Sequence, residues 1–534
     1  MANKKYQQLV GTFGLNLQNI KSDNQDNFLL SAKNVICKDG FIELRKHIRK
    51  AVAFADPIRF LFPFEEYDVI IAATEDTLYI LNDRFEVLTS KSGYSSSNWN
   101  ACLFNHRVFL ANSLDKLQVI TNTGPSTFSI DDASVTGPTS TAFSFVSVVN
   151  SQLVFGENSK LSFWYLPVGD IQGTASQFDL ETAIGTTRLG GSLVQMANLP
   201  RDSGMGMQDY VAMFTDKGEI IVYQCTDFSD ADTINYKGTY LTSPFVGHNF
   251  IVKYLNDLLL LTINGIISTQ DIINSGISVS TDVIFSAPIN NQWCTQNFKL
   301  PGYCGVVVPQ EEFVIFNVPD SGDENYQWVM SLSSHRWSSF IGINSNAICN
   351  FNQNLLFGKD DGIYEYTNNA IPQDDDNWII AEVQTSYSNW GSINNKRFGL
   401  FNTRLIASSD LNVTYEIRKD LADSTYYNFV STTNLIPSTQ SDYGFFEIND
   451  PIVDNPHLAT NDLFYWWIDD DSIDPTHRTA YWSVGAGGEF SEQSKWHSGS
   501  GYARNFSLVL RTKTNGIAYK LYDITYQFTE GVGI

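Results

Sequence analysis

The side chains that usually carry catalysis or bind metals are present in this sequence, but their spacing predicts no site. Seven histidines are scattered along the chain, and none lies at a metal-ligand spacing from another. The chain contains no phosphate-binding loop, dinucleotide fingerprint, HExxH or GxSxG motif. The sequence therefore predicts no catalytic residue, no cofactor and no metal site, and we expect a protein that is not an enzyme.

Two runs of three aspartates, Asp374–Asp376 and Asp469–Asp471, are the best candidates for binding a hard cation. Calcium prefers clustered carboxylate oxygens, but neither run has the alternating D-x-D-x-D-G pattern of a calcium loop. Solvated acidic linkers are the interpretation that the sequence favours.

A carbohydrate-binding or glycoside-hydrolysing propeller protein, which would serve as a receptor-binding protein or adhesin, is the alternative that composition leaves open. Glycoside hydrolysis needs two carboxylates beside a sugar, and aromatic side chains often stack on the sugar ring. The Trp-rich stretch 464–468 could form such a platform, although adjacent residues of a strand point to opposite faces. No Asp-box (S-x-D-x-G-x-x-W) recurs in the sequence, so this function stays second.

One basic cluster opposes the overall charge of the chain. It consists of Arg45, Lys46, Arg49 and Lys50, with His47 among them. These residues could contact an acidic partner or the DNA backbone. A charged strand edge that discourages aggregation explains them equally well.

The composition describes a large, acidic, strand-rich protein. The 534 residues allow two or more domains. Aromatic residues make up 13% and charged residues only 17%, a mixture that favours strands. The formal charge of −24 disfavours non-specific phosphate binding and would let DNA slide past without sticking.

Six cysteines without CxxC spacing indicate reduced, buried thiols from a cytosolic folding environment. A disulfide between Cys294 and Cys304 is the one pairing we consider. The N-terminus lacks the apolar segment of a signal peptide. The sequence also contains no run of 18 apolar residues, so no membrane-spanning helix is predicted.

A recurring pair of strands joined by an Asn, Asp or Gly turn is the main structural signal. Units of this kind recur at roughly 40 to 60 residues, the range of propeller blades. A lone hairpin cannot bury its apolar face, so the units must stack. The six copies are 68–73 with 78–81, 105–112 with 117–120, 150–158 with 161–164, 210–214 with 218–223, 256–261 with 265–267, and 354–358 with 362–366.

The sequence thus predicts an all-β fold, a β-propeller of six or seven irregular blades with insertions, plus an additional β-sandwich or platform domain. We assign residues 1–50 to an N-terminal segment, 51–370 to the propeller and 371–534 to a C-terminal β-rich domain. The apolar stretch 28–36 could be a short helix or a strand. A turn-rich insertion is expected at 173–191, and a linker at 371–377.

Several stretches resemble tail proteins of short-tailed bacteriophages. They are NSKLSFWYLPVGDIQGTASQFDL at 158–180, the region from Gly191 to Tyr240, QWVMSLSSHRWS at 327–338, and Gly14-Leu15-Asn16 with Asn34-Val35 and Gly40. The chain is similar to the tail nozzle or hub proteins of the packaged-DNA stabilisation type, most closely over residues 140–370.

The resemblance implies a virion protein that is assembled in the host cytoplasm and carries no catalytic residues. It implies a homohexameric ring below the adaptor (head-to-tail connector) protein, with the N-terminal segment in the platform that meets the adaptor. Such a ring extends the DNA channel, retains packaged double-stranded DNA without specific binding, docks a tail fibre or tailspike, and receives a needle or knob protein. No membrane is involved.

Overall fold

The computed structural model shows a chain built almost wholly of β-strands, as predicted. It describes residues 3–10, 14–18, 27–180, 187–202, 207–275, 284–319, 326–367, 378–408, 411–420, 429–435, 446–448, 464–468, 478–484, 491–498, 501–514 and 517–531. Two compact units are present. One comprises residues 48–332 and 339–367, and the other comprises 1–47, 333–338 and 368–534.

The first unit is a β-propeller of seven antiparallel blades, the larger of the two predicted numbers. The first four blades each contain four strands. Blade 1 is Phe60–Phe64, Val69–Ala73, Thr77–Asn82 and Val87–Ser92; blade 2 is Asn100–Phe104, Arg107–Ala111, Gln118–Gly124 and Thr127–Asp132; blade 3 is Phe143–Val149, Gln152–Glu157, Ser162–Tyr165 and Ser176–Asp179; blade 4 is Leu193–Asp202, Met207–Thr215, Glu219–Gln224 and Asn235–Leu241.

The other three blades are less regular. Blade 5 is Ile251–Tyr254, Asp257–Thr262 and Gly265–Ser268; blade 6 is Cys304–Val308, Phe313–Val318, Tyr326–Ser331 and Trp337–Ile341; blade 7 is Ala347–Phe351, Asn354–Lys359, Gly362–Thr367 and His47–Ala53. The last strand of blade 7 therefore comes from before blade 1. This strand closes the ring, because it ties the beginning of the propeller to its end.

Short elements lie between blades and between strands of a single blade. Strands Val135–Thr136 and Gly173–Thr174 pair in parallel. The α-helices are Thr269–Ser275 and Asn290–Trp293, and the 3₁₀ turns are Glu65–Tyr67, Ala231–Thr233, Ala287–Ile289 and Pro309–Glu311. Within the described residues, no helix is both long and apolar enough to cross a membrane.

Asparagine-led turns set the register of the blade hairpins. Asn105-His106, Asn150-Ser151 and Asn352-Gln353 each have positive φ at both residues and join the first strand of a blade to the second. Two successive positive φ angles give the type I′ turn, whose twist matches that of the paired strands. The predicted strand pairs begin at or directly after these turns, because each pair consists of the second and third strands of a blade.

Apolar side chains between the blades form the core. Separate clusters join blades 1 and 2, blades 2 and 3, blades 3 and 4, and blades 7 and 1. In the second cluster, for example, the Phe143 and Phe155 rings lie 4.6 Å apart. Each hairpin thus buries its faces against its neighbours, as the stacking argument required.

The second unit contains two main sheets. The seven-stranded sheet comprises Asn3–Leu9, Val35–Lys38, Phe41–Leu44, Lys396–Ala407, Ser491–Ser498, Tyr502–Ala503 and Tyr519–Glu530; the other has Leu29–Lys33, Ile379–Thr385, Leu411–Lys419, Phe429–Leu435 and Phe506–Thr514; a small third sheet has Phe446–Ile448, Phe464–Ile468 and Arg478–Val484. Trp390 stacks on Phe506 of one sheet and Tyr526 of the other, with ring centroids 4.8 Å apart in both cases. The unit is the predicted β-sandwich.

The observed boundaries differ from the predicted ones at the N-terminus. Residues 1–47 belong to the same unit as the C-terminal strands, and residues 48–50 belong to the propeller. The apolar stretch 28–36 forms strands on both sides of Asn34, whose φ is +57°. Strand Ser176–Asp179, the fourth strand of blade 3, lies within the predicted insertion at 173–191. The predicted linker at 371–377 lies outside the described residues.

Candidate functional site

The first strands of all seven blades surround one cavity of about 930 Å³, which we call the channel. Its walls include residues from every blade, such as Phe62, Ala101, Ser147, Ala197 and Lys253 from blades 1 to 5. Cavities of this size usually hold small molecules, and propellers commonly place them on their axis. The channel is therefore the candidate site.

Small residues let the first strands approach one another around the channel. Gly305 of blade 6 shows why: a Cβ on it would lie 2.7 Å from Cγ2 of Val252 and 2.8 Å from the Phe316 ring. A contact below 3.0 Å would force the Val252 or Phe316 side chain to shift, so the glycine lets blade 6 pack closely against blade 5.

Four polar residues stand where the first strands begin, and we call this end the rim. They are Arg59, Asn100, Asn249 and Asn346. Arg59 donates to Oδ1 of Asn346 at 3.1 Å, and Asn100 donates to Oδ1 of Asn249 at 3.4 Å. These bonds cross between blades and fix the side chains at the rim of a channel whose wall is both polar and apolar.

The charge of the channel wall is opposite to that of the whole molecule. Arg59, Lys253 and Lys299 line it, and no aspartate or glutamate is among the described lining residues, although the chain has 58 acidic residues and 34 basic ones. Glu75 approaches the rim from outside, with an oxygen 3.9 Å from Arg59. A cationic cleft with low-dielectric walls concentrates positive potential.

The surrounding protein shifts the pKa values of one histidine and three cysteines of the wall towards their neutral forms. Desolvation by the surrounding protein lowers the pKa of His248 below its ordinary value. Burial raises the pKa of the Cys304 thiol to about 12, and it raises the pKa values of Cys102 and Cys349 as well. Because the thiolate is the nucleophile, these cysteines are poor nucleophiles at neutral pH.

The predicted basic cluster does not form a single cationic surface. Arg45 is buried, and its guanidinium donates to Oδ1 of Asn34 at 3.0 Å and to the carbonyl of Lys46 at 2.9 Å. Lys46 itself is half-buried.

Arg49 and Lys50 are exposed on the strand that closes blade 7. Arg49 pairs with Glu365 at 2.8 Å, and Lys50 pairs with Asp361. Because both cations already pair with the carboxylates of Glu365 and Asp361, they help to attach the closing strand to blade 7. An additional contact of the four residues with a partner stays a prediction.

The other residues considered from sequence give no second site. Cys294 and Cys304 are both free, as are the other four cysteines. Among the described residues, no three His, Cys, Asp or Glu side chains form a group that could hold a metal ion. Asp374–Asp376 and Asp469–Asp471 lie outside the described residues.

Sequence reasoning missed the channel residues for a simple reason. The strand pairs that it identified are the second and third strands of their blades, whereas the channel is lined by the first strands. The position of a residue relative to the first strand of its blade could have indicated the rim. Arg59 and Asn346 each lie one residue before such a strand. Blade 6 was missed as a repeat because its second and third strands, Phe313–Val318 and Tyr326–Ser331, lack a short turn between them.

Comparison with known proteins gives structural similarity only. No family model and no curated protein matches the chain. It is similar in structure to U3-55K (7% identity, TM-score 0.36) and to the WD40 repeats of RRP9 (7% identity, TM-score 0.37), each over 60% of this chain and 98% of the other. It is also similar to the computationally designed Ika8 protein (10% identity, TM-score 0.33), again over 60% and 98%. The fold class, an all-β propeller, rests on the sheet order described above.

Proposed function

We propose that this chain is a structural subunit of the tail nozzle of a short-tailed bacteriophage. Six copies would form a ring below the adaptor protein, extend the DNA channel and retain packaged DNA. The ring would also dock a tail fibre or tailspike and receive a needle or knob protein. The resemblance of residues 158–180 and 327–338 to such proteins is the starting point of the proposal.

The closed seven-bladed ring is the observation that carries it. A nozzle must resist the pressure of packaged DNA, and a ring without open sheet edges deforms little. The closing strand His47–Ala53 and the apolar clusters between blades supply that stiffness. A stiff propeller of this kind is suited to serve as a subunit of a larger assembly.

The size and charge of the propeller favour a lumen between subunits as the path of the DNA. A channel of about 930 Å³ suits a small molecule rather than a duplex. The overall charge of −24 would repel the duplex from the walls of a shared lumen, so that DNA moves without sticking.

The described channel wall does not favour the alternative function in sugar hydrolysis. Glycosidases use a pair of carboxyl groups about 5–10 Å apart. No carboxylate is among the described lining residues, so this cavity lacks the required pair. Sugar binding elsewhere on the molecule has no specific observation in its favour.

Electron microscopy of the virion that encodes this chain tests the proposal directly. We expect six copies on the tail axis, immediately below the adaptor ring, each with density for a seven-bladed propeller. Absence of the chain from the tail axis would overturn the assignment.

A second test uses the purified chain, because nozzle subunits can stay monomeric until the adaptor ring is present. Mixing the chain with the adaptor protein should convert it to a hexameric complex in size-exclusion chromatography with light scattering. A chain that stays monomeric and releases reducing sugar from host polysaccharide would instead establish the alternative.

A further inference from the structure

We infer that the propeller channel binds a small oxyanion, a molecule that carries two or more phosphate or carboxylate groups. This site belongs to the propeller alone and goes beyond the nozzle proposal, so its failure would leave that proposal untouched. Four features of the channel support it: the sign of the charge, the unpaired lysines, the neutral donors at the rim and the volume.

The wall concentrates cations in a molecule that is otherwise strongly acidic. Arg59, Lys253 and Lys299 come from blades 1, 5 and 6, and the described lining residues include no carboxylate. Ordinary solubility explains an acidic exterior, but it does not explain why the described wall of this channel contains no carboxylate. Binding an anion there does explain it.

Two of these cations have no counter-charge of their own. Among the described residues, neither Lys253 nor Lys299 forms an ion pair, and both are exposed to solvent in the channel. Arg59, by contrast, is held by Asn346 and lies 3.9 Å from Glu75. The two ammonium groups are therefore the available partners for an anion.

The two lysines come from two neighbouring blades and from different positions relative to the first strands of those blades. Lys299 precedes the first strand of blade 6, on the side of the rim, whereas Lys253 lies one residue before the end of the first strand of blade 5. A ligand that reaches both must carry anionic groups at two points. A ligand with a single charge would satisfy only one of them.

Neutral donors complete the rim. Each rim asparagine already donates one amide N–H, to Asn249, to the Trp99 carbonyl or to Asp360, and has a second N–H left for a ligand. His248 also lines the wall, three residues before the strand Ile251–Tyr254. Amide and imidazole N–H groups donate to phosphate and carboxylate oxygens without adding charge. The rim thus offers the mixture of a few charges and several neutral donors that is typical of sites for small anions.

Volume and long-range charge both favour a small ligand over a polyanion. About 930 Å³ lies in the range of small-molecule sites, which is about 300–1,000 Å³. A polyanion outside the channel would be repelled by a protein of charge −24. A small anion inside it responds mainly to cations within about 8 Å, the screening length at physiological salt.

Isothermal titration calorimetry of the full chain with pyrophosphate, citrate and uncharged glucose tests the inference. We expect pyrophosphate or citrate to bind with one site per chain, and glucose not to bind. The stronger of the two anions identifies the phosphate or the carboxylate class. Raising the salt from about 0.05 M to about 0.5 M should weaken this binding markedly, because screening shortens with salt.

Matched lysine variants locate the site. Lys253→Gln and Lys299→Gln should each weaken binding about tenfold, and the double variant about a hundredfold, as expected for independent contacts of this kind. Lys237→Gln is the control, since Lys237 is an exposed lysine on the outer strand Asn235–Leu241 of blade 4. It should bind like the unmodified chain.

Two results would overturn the inference. One is that neither anion binds the unmodified chain at millimolar concentration. The other is that the double variant binds as tightly as the Lys237→Gln control. Because both lysines are exposed, we expect the variants to fold, and circular dichroism and the melting temperature of each variant would verify this before titration.

Discussion

In the propeller, nearly every strand pairs with the strand that follows it in the chain, whereas the sandwich joins strands from its two ends. Strand Asn3–Leu9 pairs with Tyr519–Glu530, and Leu29–Lys33 pairs with Ile379–Thr385. The two units also differ in what they bury. Clusters of aliphatic and aromatic side chains fill the spaces between blades, while one sheet of the sandwich carries a network of arginine and glutamate.

The difference shows two ways of holding a large β-protein together. The propeller repeats local hairpins and needs only one long-range strand, His47–Ala53, to close its ring. The sandwich depends throughout on contacts between distant parts of the chain, whose loop-closure entropy must be overcome before they form. We therefore expect the two units to respond differently to the changes below.

Removing the central aromatic residue of the sandwich should have the largest effect. Trp390 is 5% exposed and contacts Phe506, Tyr526 and Phe528. Trp390→Ala should lower the free energy of unfolding by about 3–5 kcal/mol, since a large cavity would remain. Hydrogen exchange with mass spectrometry should show the loss of protection in the sandwich peptides.

Trp99→Ala in blade 2 provides the matched change in the propeller, because Trp99 is 1% exposed. Its loss of protection should fall on propeller peptides instead. If both variants affected both units equally, the units would not be energetically separate and the comparison would fail.

A glycine at the ring closure should give the next largest effect. Gly362 has a φ of +150°, and a Cβ there would lie 2.1 Å from the carbonyl oxygen of Val52 in the closing strand. Gly362→Ala should destabilise the propeller by about 2–4 kcal/mol through strain and steric overlap, as measured by thermal unfolding. Gly342→Ala is the control, since Gly342 has a φ of +85° and open space around it. Equal losses in the two variants would show that the closing strand is not under this constraint.

Ion pairs should matter more in the sandwich than in the propeller. Arg511 bridges Glu382 and Glu416 at 2.7 Å each, and the Glu416 side chain is 1% exposed. Arg511→Met should cost about 2 kcal/mol, less than for a fully buried pair because Arg511 is partly exposed. Arg49→Met, which breaks the exposed pair with Glu365, should cost less than about 1 kcal/mol. Urea denaturation of both variants measures the difference, and a larger loss for Arg49→Met would contradict it.

The same network should make the stability of the sandwich sensitive to acid. Burial tends to raise the pKa of Glu382, but hydrogen bonds from Ser31 and Arg511 outweigh it and lower the pKa below the ordinary value of 4.5. Because the pKa of Glu382 is lower in the folded state, its ionised carboxylate stabilises the fold. This stabilisation is complete above the unfolded pKa and is lost as the pH falls through the folded pKa.

Glu382→Gln should therefore destabilise the chain most at pH values above about 5, and the difference from the unmodified chain should shrink as the pH falls towards about 3. Melting temperatures across this range measure it. Glu75→Gln is the control, since that carboxylate is exposed and lies 3.9 Å from its nearest cation. A difference that grows as the pH falls would contradict the sign.

The smallest expected effect concerns the rate at which the cysteines react, and it involves no change in the free energy of unfolding. Cys294 is exposed, whereas Cys37, Cys225 and Cys349 are buried. Ellman's reagent should modify Cys294 first in the folded chain, and the buried thiols only after unfolding. Cys294→Ser should remove the fast phase. Fast modification of the buried thiols would show that their blades open easily.

Much of the fold could be predicted from local patterns. The six predicted strand pairs all lie in blades, because an asparagine turn and the alternation around it are encoded within about ten residues. Blade 6 was not among the six repeats, because the link between its second and third strands is longer; its residues 327–338 were noted only for their resemblance to tail proteins.

The channel could not be predicted in the same way. Arg59, Lys253 and Lys299 are ordinary basic residues until the ring closes, and only then do they line one cavity. The basic cluster shows the converse, since its residues are adjacent in sequence, yet folding buries Arg45 and pairs Arg49 and Lys50 with carboxylates.

The sequence by itself determined the acidic charge, the all-β character and the hairpins, because composition, period-2 alternation and turn chemistry act over short distances. Only the tertiary structure decided that residues 1–47 join the C-terminal strands and that His47–Ala53 completes blade 7. It also decided which side chains face the channel. These features depend on pairing between distant segments, and such pairing is selected by the packing of the whole core.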